Sequence, residues 1–226
     1  MIKKLQALKA KKGFTLVELV VVIAIIGVLA AILIPVMIGV VQDANITSAD
    51  SLAKQVYTQT QTFCTKADTA KESLKGANSG TTTIIMVIGS GKWEMSGTTT
   101  AQFGGGSKYV FNTANTANDA ETKKETSLNL FLQDVLRDFT DGVAYIFFAG
   151  NACVGAAVQQ GSGLTATDNE LAKNNVAAQI ATALQSGKTK DIDGGSSNKS
   201  GVGSDNGGIV GTSPKIAHNA NSANKC

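Results

Sequence analysis

Lys12-Gly13-Phe14-Thr15-Leu16-Val17-Glu18-Leu19 leads straight into a run, residues 19–41, that holds no charged or strongly polar residue. About 20 apolar residues, each rising ~1.5 Å, are enough to cross a bilayer as a helix. The run is filled mostly by Val, Ile and Leu, so it predicts a membrane-spanning helix. Lys3, Lys4, Lys9, Lys11 and Lys12 precede Gly13, and no acidic residue does. By the positive-inside rule this keeps the N-terminus cytoplasmic and sends everything after Val41 outward. An ordinary secretory signal has an apolar core of only about 7–15 residues and ends in a small-residue cleavage site. The present run is longer, and Pro35-Val-Met-Ile-Gly-Val-Val is a poor cleavage site. A plain anchor leaves Glu18 unexplained. A leader cleaved ahead of the apolar run accounts for the whole segment.

The Gly-Phe pair, the acid five residues into the segment that follows Gly13, and the immediate apolar run closely resemble the prepilin peptidase site of type IV pilins and type II secretion pseudopilins. The resemblance covers roughly residues 1–45 and extends through Gly27 and Pro35. It implies cleavage after Gly13, N-methylation of Phe14 and an assembly role for Glu18. It also implies three segments: a leader (1–13), a transmembrane and filament-core helix (14–41), and an extracytoplasmic globular domain (42–226). The implied fold class is α+β and lollipop-shaped, a long N-terminal helix packed on an antiparallel sheet, with extra short helices and an irregular C-terminal tail. The implied partners are further copies of the chain in a helical homopolymer, a prepilin peptidase, and an assembly platform driven by a separate ATPase. The implied location is the cytoplasmic membrane before assembly and a surface pilus afterwards. A secretion pseudopilin, or a minor pilin acting as an adhesin or carbohydrate-binding tip, are the alternatives.

A lone carboxylate in an apolar segment costs a few kcal/mol and usually has a partner or a function. For Glu18 the nearest plausible cation is the amine freed at Phe14, on its own or a neighbouring chain. A hydrated position at the membrane interface is the simpler alternative. Pro35 lacks a backbone donor and crowds the preceding turn, so it predicts a kink. Gly27 and Gly39 each weaken a helix by about 1 kcal/mol relative to Ala.

Of 20 basic residues five lie before Gly13, and the rest of the chain holds 15 basic against 17 acidic side chains. The net positive charge therefore belongs to the leader and gives no reason to expect nucleic-acid binding. Cys64, Cys153 and Cys226 are too few and too widely spaced for a zinc motif. Pilins of many kinds close a C-terminal loop with a disulfide, which by resemblance suggests Cys153–Cys226, with Cys64 the rival partner. No catalysis and no cofactor are expected. The sole histidine, His218, lies in a polar tail. Gly89-Ser-Gly-Lys92 lacks the first glycine of a phosphate loop, since Met86 stands there. Gly161-Ser-Gly is a turn rather than a nucleophile elbow. Asp191 and Asp193, with Asp205, are weak calcium candidates that lack the later ligands of a calcium loop.

Beyond Val41 the helical period continues. Ile46, Ala49, Ala53, Val56, Thr60 and Phe63 share one face, while Gln42, Asp43, Asp50, Lys54, Gln55 and Gln61 share the other. A single helix over about 14–68 follows, and it needs a sheet to cover its outer half. Strands are expected at 81–88, 92–95, 108–112, 143–149 and 152–158, the last two joined through Gly150-Asn151. Helices are expected at 125–139 and 168–185, the latter opened by the capping-box pattern Thr167-Asp-Asn-Glu170. The Gly-, Ser- and Asn-rich stretch from Ser186 onward predicts an irregular tail.

Overall fold

The computed structural model describes residues 14–72, 74–75, 81–96, 102–103, 107–113, 123–149, 152–169, 171–172, 176–185 and 210–214. Helix α1 spans Leu16–Thr69, α2 Leu128–Val135 and α3 Val176–Gln185. The strands are β1 Leu74–Lys75, β2 Thr81–Gly89, β3 Lys92–Ser96, β4 Gln102–Phe103, β5 Gly142–Ala149, β6 Ala152–Gln160 and β7 Val210–Ser213. Five strands form an antiparallel sheet in the order β3-β2-β5-β6-β7, and β1 pairs with β4 separately. The architecture is α+β. The chain divides into two compact units between Asp43 and Ala44.

In the second unit the expected helical stripe is the buried one. Ala49, Ala53, Val56, Thr60 and Phe63 are buried, and Ala67 continues the series. The side chain of Ile46 lies outside the described residues. The helix ends in a Schellman arrangement, in which the Glu72 amide donates to the Ala67 carbonyl and the Lys71 amide to that of Asp68. Lys71 occupies the left-handed position at φ 62°, where glycine is commonest.

Sheet pleating sorts the core into two layers. Ile84, Met86 and Ile88 of β2, with Ala144, Ile146 and Phe148 of β5, join the α1 stripe and Leu128, Phe131 and Leu132 of α2. The alternate residues Val143, Tyr145 and Phe147 face the opposite way, onto Leu171 and onto Ile180 and Ala181 of α3. Strand β5 is therefore covered on both faces, which explains its unbroken apolar sequence. The expected hairpin forms with β6, although Gly150 and Asn151 lie outside the described residues. Its register shifts after Phe147, which pairs with Gly155 while Phe148 pairs with Cys153. Val154 is thus an extra residue that bulges the strand.

Several expected elements differ. Residues 108–112 do not form a strand; their only described ladder contact is a bridge between Val110 and Ser127. Local partners take that backbone instead. The Lys108 and Tyr109 amides donate to the Glu72 carboxylate, and the Val110 amide donates to the Thr126 carbonyl. Helix α2 is shorter than the expected 125–139, and ahead of its start residues 123–127 are tied into a turn on the Lys123 carbonyl. Val135 is 42% exposed, whereas Asn129 is fully buried. Helix α3 starts at Val176 rather than near Asp168. The region ahead of it is drawn into a turn by buried Asn169, which donates to the Thr165 carbonyl and the Tyr145 hydroxyl and accepts from the Ala172 amide. The tail also supplies a strand that periodicity did not reveal, β7, which lies antiparallel to β6.

Candidate functional site: the apolar N-terminal helix

The stretch Leu16–Met37 is one helix of 22 residues, long and apolar enough to cross a membrane, with none of its length buried in the protein. At ~1.5 Å per residue it covers about 33 Å, against about 30 Å of hydrocarbon. Its large apolar side chains are exposed on every side, from Leu16 at 77% to Met37 at 57%. A helix apolar all round has satisfied its own backbone and still lacks a non-aqueous neighbour. Pro35 lies within the helix span. Gly27 has open space around its Cα.

Glu18 is in the first turn of this helix. Its Oε2 accepts from the Thr15 amide at 3.0 Å and from the Thr15 hydroxyl at 2.7 Å. In return the Thr15 Oγ1 accepts from the Glu18 amide at 3.2 Å. This is a reciprocal capping box, with Thr15 as N-cap and Glu18 at the third helical position. The pattern Thr15-Leu-Val-Glu18 was present in the sequence and announces this arrangement. The capping bonds fix the carboxylate at the positive end of the helix dipole without neutralising it. Phe14 is 82% exposed beside the cap. Gly13 lies outside the described residues.

The other sequence-derived candidates do not assemble into a chemical site. Ser90 and Gly91 have φ of 51° and 73° and close the β2–β3 hairpin in the manner of a type I′ turn. The Ser90 amide donates to Asp141 Oδ1 at 3.3 Å and the Gly91 amide to the Thr140 carbonyl at 2.8 Å. A carboxylate therefore stands where a phosphate would have to sit. Trp93, the aromatic that an adhesin reading would want on the surface, is fully buried, edge-on to Phe139 at 5.3 Å between ring centroids. Cys64 is a half-buried and Cys153 a buried free thiol. Cys226, His218, Asp191, Asp193 and Asp205 lie outside the described residues. Among the described residues no three His, Cys, Asp or Glu side chains are grouped to hold a metal ion.

Two polar centres had not been anticipated, and both hold structure together. Asn129 donates to the carbonyls of Trp93 and Thr113 at 3.0 and 2.9 Å. Its Oδ1 accepts from the Thr113 amide and from the Ser127 hydroxyl. It thereby joins α2, β3 and the 107–113 segment. Glu72 accepts from the Ser107 hydroxyl and from the Lys108 and Tyr109 amides. These bonds, that of Ser107 foremost, hold its carboxyl below the usual glutamate range.

Comparison with known proteins places a family motif on the N-terminal helix. The prokaryotic N-terminal methylation motif matches residues 8–34. A fimbrial protein of Moraxella nonliquefaciens is 46% identical over 55 residues, covering 24% of this chain and 36% of that protein. The matched stretch thus spans about a third of the relative's length. No solved structure matches the chain.

Proposed function

We propose, from the premise that this chain has the N-terminal segment of a type IV pilin, that it is a structural subunit of a type IV pilus. The observation that carries the reading is the 22-residue apolar helix with no part of it buried, most of which lies inside the methylation motif matched over residues 8–34. As a precursor the chain is anchored by that helix in the cytoplasmic membrane. A prepilin peptidase cuts after Gly13, the new N-terminus at Phe14 is methylated, and the helix leaves lipid for a filament core built from copies of itself. The assembly platform and its ATPase drive that transfer. An apolar helix moves between these two surroundings at little cost, since lipid tails and packed apolar helices are similar solvents.

Glu18 sets the register in this scheme. The capping box offers the carboxylate only neutral donors, so a cation is what would offset its burial in a filament. The amine of Phe14 on a neighbouring subunit supplies one at the same helix end. Pro35 loosens the helix midway and lets neighbouring copies pack at changed angles. The test is to shear surface filaments, identify their dominant subunit and determine its N-terminus by mass spectrometry. A dominant subunit beginning at N-methylated Phe14 supports the proposal. Filaments that lack this chain, or that retain residues 1–13, overturn it.

A further inference from the structure

We propose that Cys64 of α1 and Cys153 of β6 are a disulfide-forming pair that fastens the outer half of the long helix to the sheet. Of the chain's three cysteines, these two lie among the described residues of the second unit, where they share one face of the sheet. Helix α1 meets the sheet closely at β7. The Thr212 amide donates to Asp50 Oδ1 at 3.0 Å, and a Cβ placed on Gly211 would lie 2.0 Å from the Ala49 carbonyl carbon. The missing side chain of Gly211 therefore lets helix backbone touch strand backbone. Gly211 pairs with Val158 of β6. From that fixed point the helix advances 15 residues to Cys64, about 22 Å. Tracing β6 back from Val158 to Cys153 takes five residues, about 17 Å. The two runs are comparable in length.

Contacts at the far end agree. Cys153 belongs to the buried cluster beneath α1, and Cys64 and Tyr57 both pack against that cluster. Tyr57 and Cys64 are two turns apart on one flank of the helix, and both lie near enough to Cys153 that a charge on one would raise the pKa of the other. The same cluster includes small residues from both elements, Ala53 and Ala67 of the helix and Ala156 of β6. Small residues at a helix–sheet contact shorten the span that a disulfide must cross.

Burial decides when the bond can form. It pushes the Cys64 thiol up to about 12 and raises Cys153 as well. Neither is a competent nucleophile at neutral pH once α1 covers β6, because the thiolate is the attacking species. Closure therefore belongs to folding, before the helix docks. The oxidant is a disulfide of a small thiol or of a thiol oxidoreductase. One cysteine thiolate attacks a sulfur of that disulfide, forming a mixed disulfide and releasing one thiolate of the oxidant. The second cysteine thiolate then attacks the protein-bound sulfur, forming Cys64–Cys153 and releasing the other. Both cysteine protons pass to solvent or to the released thiolates, and the two electrons end on the oxidant. The bond closes a loop of about 90 residues, a length at which cross-linking strongly restricts the unfolded chain.

The experiment is to refold the full-length chain in detergent micelles with mixed reduced and oxidised glutathione, alkylate at low pH, and map peptides without reduction. The expected product links the peptides carrying Cys64 and Cys153 and leaves Cys226 alkylated. Its denaturation midpoint should exceed that of the reduced chain. That difference should survive Cys226→Ala and vanish in Cys64→Ala and in Cys153→Ala. Because Cys226→Ala retains the pair, it still reports if the other variants fail to fold. A link from Cys226 to either other cysteine, or three alkylated thiols after refolding, would overturn the proposal. Since the test is made in vitro, it stands apart from the pilus reading.

Discussion

The two ends of α1 solve opposite problems with one backbone. Along Leu16–Met37 no side-chain face is buried, and β-branched Val and Ile crowd every turn. Between Ala49 and Ala67 the residues facing the sheet are at most 2% exposed, while Lys54, Gln55 and Gln61 stay in solvent. Residues with modest helix propensity in water build the first part, so local preference does not explain it. In hydrocarbon the alternative is an unbonded backbone, which costs far more than a poor propensity. The second part is held by its stripe, where Phe63 sits within 6 Å of the rings of Phe103, Tyr109 and Phe131. One half is made for an environment outside the chain and the other for the chain's own sheet.

The largest effect should come from removing the one charge of the first half. Glu18→Ala is expected to leave the protein membrane-bound and processed, with surface filaments lost. Normal filaments from that variant would remove the amine pairing from the scheme. Next comes a matched pair of truncations. Phe63→Ala should cost about 4 kcal/mol of stability, the range for a buried aromatic. Ile25→Ala, on the exposed half, should shift unfolding of the globular unit by less than about 0.5 kcal/mol. Equal losses in denaturant titrations would mean the two halves are not distinct in the way their burial indicates.

Asn129→Ala tests the polar support beneath the stripe. It removes the partner of the buried Trp93 carbonyl and of the part-buried Thr113 carbonyl, and a cost of about 2–3 kcal/mol is expected. Chemical denaturation measures it directly. Glu72→Gln should act least and should depend on pH. The folded-state carboxyl titrates below its ordinary value, so its stabilisation is complete above that value. It is lost as pH falls through the depressed folded value. Thermal midpoints of the wild type and Glu72→Gln should therefore differ near neutrality and converge in acid. A gap that is unchanged at low pH would show that the loss is one of hydrogen-bond geometry rather than charge.

Particular residues show how far patterns reached. The long helix and the β2–β3 and β5–β6 hairpins were legible because their periods run uninterrupted for several turns or pleats. The capping box is local as well, since Thr15 and Glu18 stand at the spacing that lets each side chain reach the other's amide. The lengths of α2 and α3 were not legible. Ahead of α2 the amides of Thr126 and Ser127 close a turn on the Lys123 carbonyl, and ahead of α3 buried Asn169 binds the Thr165 carbonyl and the distant Tyr145 hydroxyl. The strand β7 was hidden for a related reason, since four residues among glycines and serines carry no period of their own.

The N-terminal segment owes its character to sequence alone. Its length, its lack of charge and the Gly13-Phe14…Glu18 spacing specify a helix whose solvent is lipid or other helices, because each residue there interacts with surroundings that the chain does not supply. The globular unit depends on contacts between distant residues. Which asparagine is buried, where α2 starts and that β7 closes the sheet edge were decided only in three dimensions. The same holds for Cys64, which packs against the buried cluster that contains Cys153. Periodicity records which face of an element is apolar, and long-range packing decides what meets that face.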